Sequence, residues 1–160
     1  MPIYMNYNND AIPGDVSAKG HEKWIELNSF QWGVGRGISA PTGAAADRES
    51  SAPSVSEIVV TKATDMASTK LLNEALQGEG VDVKIDFCKT DKGNLETYIQ
   101  YTLTNTMISG YSLSSGGDRP SESLSLNFTK VEFKSTGMDA SNADASPETV
   151  TYDLALAQTT

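Results

Sequence analysis

The sequence predicts a mostly β protein with seven or eight strands, chiefly antiparallel, and one flanking helix. Two observations favour this class. Short segments alternate apolar and polar residues along most of the chain, and glycine, proline and asparagine turns separate them. A chain of 160 residues is most simply a single domain spanning residues 1–160, and it is long enough to bury a core without disulfides.

The first half of the chain contains three predicted strands and one long loop. Residues 3–7 and 24–32 form the first two strands, and the second puts Phe30 and Trp32 on one face and Gln31 on the opposite face. Glycines at positions 33, 35 and 37 then interrupt the strand. The segment 38–56 that follows is small, polar and punctuated by proline, which is typical of a disordered or functional loop. The β-branched residues 56–62 form the third strand.

One helix is predicted over residues 67–77. Thr64 or Asp65 can cap its start, and Gly78 lies where a left-handed cap residue belongs. Its apolar residues gather on one side, as expected for a helix laid against a sheet. These residues are Ala67, Leu71, Leu72, Ala75 and Leu76.

The second half is predicted to be β. Strands are expected at residues 81–88, 97–105, 108–113, 122–134 and 148–157, with loops at 114–120 and 137–147. In the first of these strands Asp86 and Cys88 share the polar face. In the strand at 122–134 the apolar parity changes between Phe128 and Val131, which indicates a bulge that bends it between two sheets or around a barrel.

Composition excludes several classes of protein. A net charge of −9 argues against binding to nucleic acid or to an anionic membrane surface. Cys88 is the only cysteine, so no internal disulfide forms, which fits folding in a reducing cytoplasm. The N-terminal residues resemble no secretory signal peptide, and no apolar segment has transmembrane length, so membrane insertion is not expected.

No catalytic, metal or cofactor site is evident in the sequence. His21 is the only histidine, and its polar surroundings predict a hydrogen-bonding or surface group. The glycines at 33–37 do not precede a helix, as a phosphate-binding loop requires. Cys88 has no histidine close in sequence to activate it, so we expect a packing residue. Acid pairs such as Asp82 with Asp86, or Glu122 with Glu132, are compatible with either acid–base catalysis or a solvated strand face.

Four segments in order resemble the hemolysin-coregulated proteins, the Hcp tube subunits of bacterial type VI secretion systems. Gly14-Asp15 precedes His21 and the aromatic strand WIELNSFQWGVGRG. The other segments are SEIVVTKATDMASTKLLNEALQGE, TYIQYTLTNTMISGYSLSS and GGDRPSESLSLNFTKVEF. No single motif is specific, but the ordered set covers nearly the whole chain.

The resemblance implies two antiparallel β-sheets forming a flattened β-barrel with one flanking α-helix. It also implies homohexameric rings that stack into a phage tail-like tube inside a sheath and above a baseplate, with a spike protein at the tip. Small effector proteins are carried and chaperoned in the lumen. Such a subunit waits in the bacterial cytoplasm and is secreted on firing without a signal peptide. No enzymatic activity is implied.

Residue roles follow from the same resemblance. Gln31 is expected to face the lumen and its cargo, because Phe30 and Trp32 point into the core. The loop after the aromatic strand is expected to reach an adjacent subunit. The interface residues are then Arg36, Ile38, Pro41, Arg48 and Glu49. Two other functions stay open: a monomeric adaptor that binds effectors, and a small β-barrel enzyme with an unrecognised carboxylate site.

Overall fold

The computed structural model describes residues 1–39, 51–138 and 144–159. Within them the chain forms twelve strands and one helix. The number of strands exceeds the predicted seven or eight because several predicted strands divide into two and other strands form in predicted loops. In chain order these are β1 Ile3–Tyr7, β2 Ile25–Leu27, β3 Ser29–Gln31, β4 Val34–Gly35, β5 Ser54–Val55, β6 Ile58–Ala63, α1 Ser68–Gln77, β7 Val81–Asp91, β8 Asn94–Ser114, β9 Ser121–Asn127, β10 Lys130–Met138, β11 Asp144–Asp153 and β12 Gln158–Thr159.

Two antiparallel sheets share one long strand. The first sheet has the order β12-β11-β10-β8-β7-β1-β2. The second consists of β3, β6, β9 and the last part of β8, from Met107 onward. Between the two halves of β8, Asn105 has φ 55°, a left-handed conformation that asparagine adopts more readily than most residues. The mostly β class and the two antiparallel sheets with one helix are therefore confirmed.

The paired strands do not close completely into a barrel. Pairing runs from β2 through β1, β7, β8, β9 and β6 to β3, and β2 and β3 are consecutive segments of the chain rather than partners. Asn28 lies between them, and its backbone NH donates to the Thr61 carbonyl at 2.7 Å. The single strand predicted at 24–32 is therefore two strands with a turn of the chain at Asn28.

The break at Asn28 changes which side chains face the core. Ile25 and Leu27 are buried between the sheets, whereas after Asn28 it is Phe30 that packs inward. The ring of Phe30 lies 5.0 Å from that of Phe87 and 4.8 Å from that of Tyr101, centre to centre. A single alternation of inward and outward side chains would not direct apolar residues into the core from both sheets. The change of parity at Asn28 lets one continuous segment contribute core residues to both sheets.

The predicted change of parity near residue 128 is also a transition between sheets. The strand expected at 122–134 divides into β9 in the second sheet and β10 in the first. β10 ends at Met138 and β11 begins at Asp144, so strands occupy both ends of the loop predicted at 137–147. The strand predicted at 148–157 ends at Asp153, and Leu156 is exposed in the turn before β12.

The helix is confirmed and Asp65 caps its start as predicted, but its C-terminal cap and part of its burial differ from expectation. The Asp65 carboxylate accepts the Ala67 backbone NH at 2.9 Å, and the Ser68 hydroxyl accepts the Asp65 NH at 2.9 Å. Gly78 is extended, with φ −70° and ψ 155°, so the predicted left-handed cap is wrong. Of the predicted apolar face, Ala67 and Leu71 are buried, while Leu72 and Leu76 are exposed.

The polar face predicted for β7 is partly buried. Asp86, Cys88 and Lys89 are all almost inaccessible. The register of β7 with β8 shifts between Phe87 and Cys88, and such a bulge changes which face a side chain points to. The segment that carries His21 also covers Asp86 and Cys88 from outside. A half-buried strand was therefore the wrong expectation for this end of β7.

Candidate functional site

The exposed face of the second sheet is formed by uncharged side chains, most of them short, and we call it the hydroxyl face. Ser29, Thr61, Ser123 and Ser112 are direct cross-strand neighbours, so four hydroxyl groups form a row across four strands. The Ser29 and Thr61 hydroxyls are hydrogen-bonded at 2.5 Å. The rest of the hydroxyl face consists of Gln31, Val59, Ala63, Met107, Ser109, Gly110, Ser114, Ser121, Ser125 and Asn127.

Gln31 lies on this hydroxyl face. It is exposed, and its cross-strand neighbour Val59 is followed across the sheet by Ser125. Phe30 and Trp32 point the other way, where both rings pack near Tyr101. The predicted orientation of these three side chains is therefore what the structure shows, whereas the role of Gln31 stays a prediction.

The base of the long loop is a two-stranded β4–β5 ladder beside an apolar groove. Val34 pairs with Val55. These two residues, with Trp32, Phe133 and Val150, line most of a groove of about 250 Å³. Val34 is 55% exposed and Val150 58% exposed, so the apolar surface is open to solvent. Soluble monomers rarely expose large contiguous apolar patches without a use for them.

The predicted interface residues are only partly covered by the structure. Arg36 and Ile38 are both exposed directly after β4, and Ile38 keeps 46% of its surface accessible. Pro41, Arg48 and Glu49 lie outside the described residues. The structure therefore places Arg36 and Ile38 in the chain after β4, whose Val34 lines the groove, and tests none of the predicted contacts.

A buried polar cluster surrounds His21. Its Nε2 atom lies 2.8 Å from Asp86 Oδ2, 3.3 Å from Thr97 Oγ1 and 3.9 Å from Cys88 Sγ. Gln100 donates to the other Asp86 oxygen at 2.8 Å. The Trp24 ring packs against the imidazole at nearly a right angle, with ring centres 4.7 Å apart. His21 is therefore a hydrogen-bonding group, as predicted, but a buried one.

This cluster is not arranged for nucleophilic catalysis. In a thiol–imidazole–carboxylate triad, one ring nitrogen faces the thiol and the other faces the carboxylate. Here Cys88 and Asp86 both approach Nε2, and Nδ1 makes no hydrogen bond within the described residues. Burial raises the pKa of the Cys88 thiol more than the hydrogen bond with Thr97 lowers it. A fully buried thiol of raised pKa is a packing residue.

A second buried polar cluster joins the helix to the second sheet. The Lys62 ammonium donates to Glu122 Oε1 at 2.5 Å and to Asp65 Oδ1 at 2.8 Å. The Ser68 hydroxyl donates to the same Glu122 oxygen at 2.7 Å, and the Tyr111 hydroxyl donates to the other. Burial alone would raise the pKa of Glu122, but these hydrogen bonds and the Lys62 charge hold it below the usual range.

Sequence reasoning missed this second cluster although a signal was present. Lys62 has the same parity as Ile58 and Val60 in β6, and Glu122 has the same parity as Leu124 and Leu126 in β9. Opposite charges on the inward faces of two strands indicate a buried pair when the strands are neighbours. The sequence alone did not show that β6 and β9 are adjacent.

Residues 1–39, 51–138 and 144–159 contain no group of three or more His, Cys, Asp or Glu side chains placed to hold a metal ion. In the same residues no helix has both the length and the apolar character needed to cross a membrane.

A two-sheet β fold that leaves an apolar groove open to solvent is typical of a protein that contacts a partner there. A family model described as "Type VI secretion system effector, Hcp" matches residues 4–134. The chain therefore belongs to the Hcp family of type VI secretion. This is a family of secreted structural tube proteins and not an enzyme family.

Solved structures show the same fold. A structure described as a type six secretion system protein superposes with a TM-score of 0.88 at 24% identity, covering 99% of both chains. Hcp1 from Salmonella typhimurium gives 0.78 at 20% identity, over 99% of this chain and 98% of the other. A type VI secretion system effector from Yersinia pestis gives 0.73 at 20% identity, over 94% and 98%. Comparison with curated proteins gave no significant match.

Proposed function

We propose that this chain is the subunit of a type VI secretion inner tube, forming homohexameric rings that stack and carry small effector proteins in the lumen. Membership in the Hcp family supports this function. The observation that carries the proposal is the open apolar groove beside β4 and β5, which an isolated subunit leaves exposed to water. A head-to-tail contact repeated around a ring covers such a surface on every subunit.

The predicted interface residues follow β4, whose Val34 lines this groove, along the chain. Arg36 and Ile38 are exposed after β4, and Pro41, Arg48 and Glu49 come later in the sequence. In the proposed ring these five residues contact the neighbouring subunit. Ile38 contributes apolar area, and Arg36 contributes a guanidinium group, which is favoured at protein interfaces.

The remaining partners follow from the tube. The spike protein sits at its tip, sheath proteins surround it, and the baseplate lies at its end. The subunit is cytoplasmic before firing and is then expelled with the spike. Effector cargo rests in the lumen, where Gln31 faces it.

The decisive experiment is the molar mass of the purified protein by light scattering, with electron micrographs of the same peak. We expect rings of six subunits with an open centre. The Ile38→Asp variant should shift the distribution towards monomer, because a buried carboxylate without a partner opposes association.

Leu76→Asp is the matched control. Leu76 is 77% exposed on α1, so this variant makes the same chemical change away from the groove. It should form rings like the unsubstituted protein. If the unsubstituted protein is monomeric at every concentration, the ring proposal is wrong, and the adaptor function takes its place.

A further inference from the structure

The outer face of the first sheet has a small polar cavity at the margin of the His21 cluster. Asp86, Gln100 and Lys134 are direct cross-strand neighbours on β7, β8 and β10, so their side chains form a row across the sheet. This row lines a cavity of about 170 Å³. The other lining residues are Thr97, Tyr98 and Thr136, so every lining side chain has a hydrogen-bonding group.

A β-bulge shapes one wall of the cavity. Phe87 pairs with Ile99, but the next residue, Cys88, pairs with Thr97, so Tyr98 is an extra residue in β8. Consecutive residues of a regular strand point to opposite faces, whereas here Thr97 and Tyr98 both line the cavity. Bulges are over-represented beside functional sites, where they redirect a side chain. The backbone of β8 therefore contributes to the shape of the cavity.

The two ends of the row have opposite charges that do not meet. Asp86 is 4% exposed, and its carboxylate accepts hydrogen bonds from Gln100 at 2.8 Å and from Thr97 at 3.3 Å. These bonds hold the carboxylate in place at the cavity. Lys134 is exposed, and its ammonium has no ion pair within the part of the chain that the structure describes. Gln100 lies between the two, and two strand spacings of about 4.8 Å separate their backbones.

The volume and the charges together define a class of ligand. Pockets for drug-sized molecules measure about 300–1,000 Å³, so a cavity of about 170 Å³ suits a molecule of amino-acid size. A small anion would meet the carboxylate of Asp86, and a small cation would meet the ammonium of Lys134. A molecule that carries both charges has a favourable partner at each end.

We propose that this cavity binds a small zwitterion of amino-acid size. Its anionic group lies against the Lys134 ammonium, and its own ammonium group donates a hydrogen bond to the Asp86 carboxylate. The hydroxyls of Thr97 and Thr136 surround the remaining polar groups of the ligand. All of these residues belong to one subunit, so binding does not depend on the proposed ring.

Saturation-transfer NMR on the purified full chain tests this inference, because it detects the ligand and works with large assemblies. The probe is L-serine, and two relatives each keep one of its charges: N-acetyl-L-serine keeps the carboxylate and L-serinamide keeps the ammonium. We expect saturable binding of L-serine at about millimolar concentration, and binding of each relative to be weaker by at least about fivefold. If L-serine does not bind below about 50 mM, or if either relative binds equally well, the inference is wrong.

A pair of lysine variants assigns the binding to this cavity. Lys134→Met removes the ammonium at an exposed position while keeping the length of the side chain, and it should weaken L-serine binding by at least about fivefold. Lys84→Met is the matched control, because Lys84 is exposed on the same face of β7 but does not line the cavity. It should bind L-serine like the unsubstituted protein. Unchanged binding in Lys134→Met, or an equal loss in both variants, would overturn the inference.

Discussion

The Lys62 ammonium and the Glu122 carboxylate form an ion pair at 2.5 Å in which both side chains are completely buried. The pair joins β6 to β9, and through Asp65 and Ser68 it also contacts the start of α1. Taking two charges out of water is costly, and good geometry with additional hydrogen bonds offsets that cost. Each oxygen of Glu122 has a hydrogen-bond donor here, so the pair fixes the position of the helix on the second sheet.

Replacing Glu122 by glutamine should destabilise the fold strongly. Glu122→Gln leaves the buried Lys62 ammonium with Asp65 as its one carboxylate partner, and we expect a loss of about 3 kcal/mol in the free energy of unfolding. Urea denaturation measures this loss. Glu148→Gln, at an exposed position in β11, is the control and should change stability by less than about 0.5 kcal/mol.

A second substitution distinguishes a charge effect from simple loss of packing. Adding Lys62→Met to Glu122→Gln removes the buried ammonium that has lost one of its two carboxylate partners, and it should recover part of the lost stability. If the double variant is less stable than Glu122→Gln alone, the cost arises from packing and the explanation by charge is wrong.

The same carboxylate predicts an acid dependence of stability. Because the pKa of Glu122 is lowered in the folded protein, its contribution is present above the unfolded value of about 4.3 and is lost as the pH falls through the folded pKa. The free energy of unfolding of the unsubstituted protein should therefore fall as the pH drops below about 4. In Glu122→Gln the fall should be shallower, and equal slopes in the two proteins would contradict the assignment.

Features that depend on neighbouring residues were predicted from the sequence, and features that depend on pairing between distant segments were not. Alternation over five residues located β1 correctly at Ile3–Tyr7, and the parity change near residue 128 correctly indicated a transition between sheets. The break at Asn28 was missed because no glycine or proline lies there to mark the end of a strand. The burial of Asp86 and Lys62 depends on which segments pack over them, and that is settled by pairing between residues far apart in sequence.

Part of the candidate site could also be predicted from the sequence, and part could not. The orientation of Gln31 follows from strand parity and could be derived from the sequence. The hydroxyl row could not, because it joins Ser29, Thr61, Ser112 and Ser123 from four strands whose register is set by the folded protein. The apolar groove likewise requires β10 and β11 to lie beside the base of the loop.

The Cys88 thiol should react slowly in the folded protein. It is fully buried beside His21 and Thr97, and burial raises its pKa, so little thiolate is present or accessible at pH 8. We expect iodoacetamide to modify Cys88 in the folded protein more than about tenfold more slowly than in the protein unfolded by urea. Rapid modification without unfolding would show an activated thiol and reopen the enzyme hypothesis.

Gly14 occupies a position where no side chain fits. A Cβ atom there would lie 2.5 Å from the Trp24 carbonyl oxygen and 2.8 Å from Ile25 Cα, and both are backbone atoms of the segment that leads into β2. Gly14→Ala should therefore force this backbone apart and lower the free energy of unfolding by about 1–3 kcal/mol. Gly33→Ala is the matched control, because a Cβ at Gly33 meets nothing within 4 Å.

The control substitution should leave the stability of the protein unchanged. Gly33 lies at the base of the long loop, where its backbone NH donates to the Ser56 hydroxyl at 2.9 Å, and alanine there preserves that bond. Gly33→Ala should therefore unfold at the same urea concentration as the unsubstituted protein. If Gly14→Ala is as stable as Gly33→Ala, the close packing of the N-terminal segment on β2 does not contribute to stability.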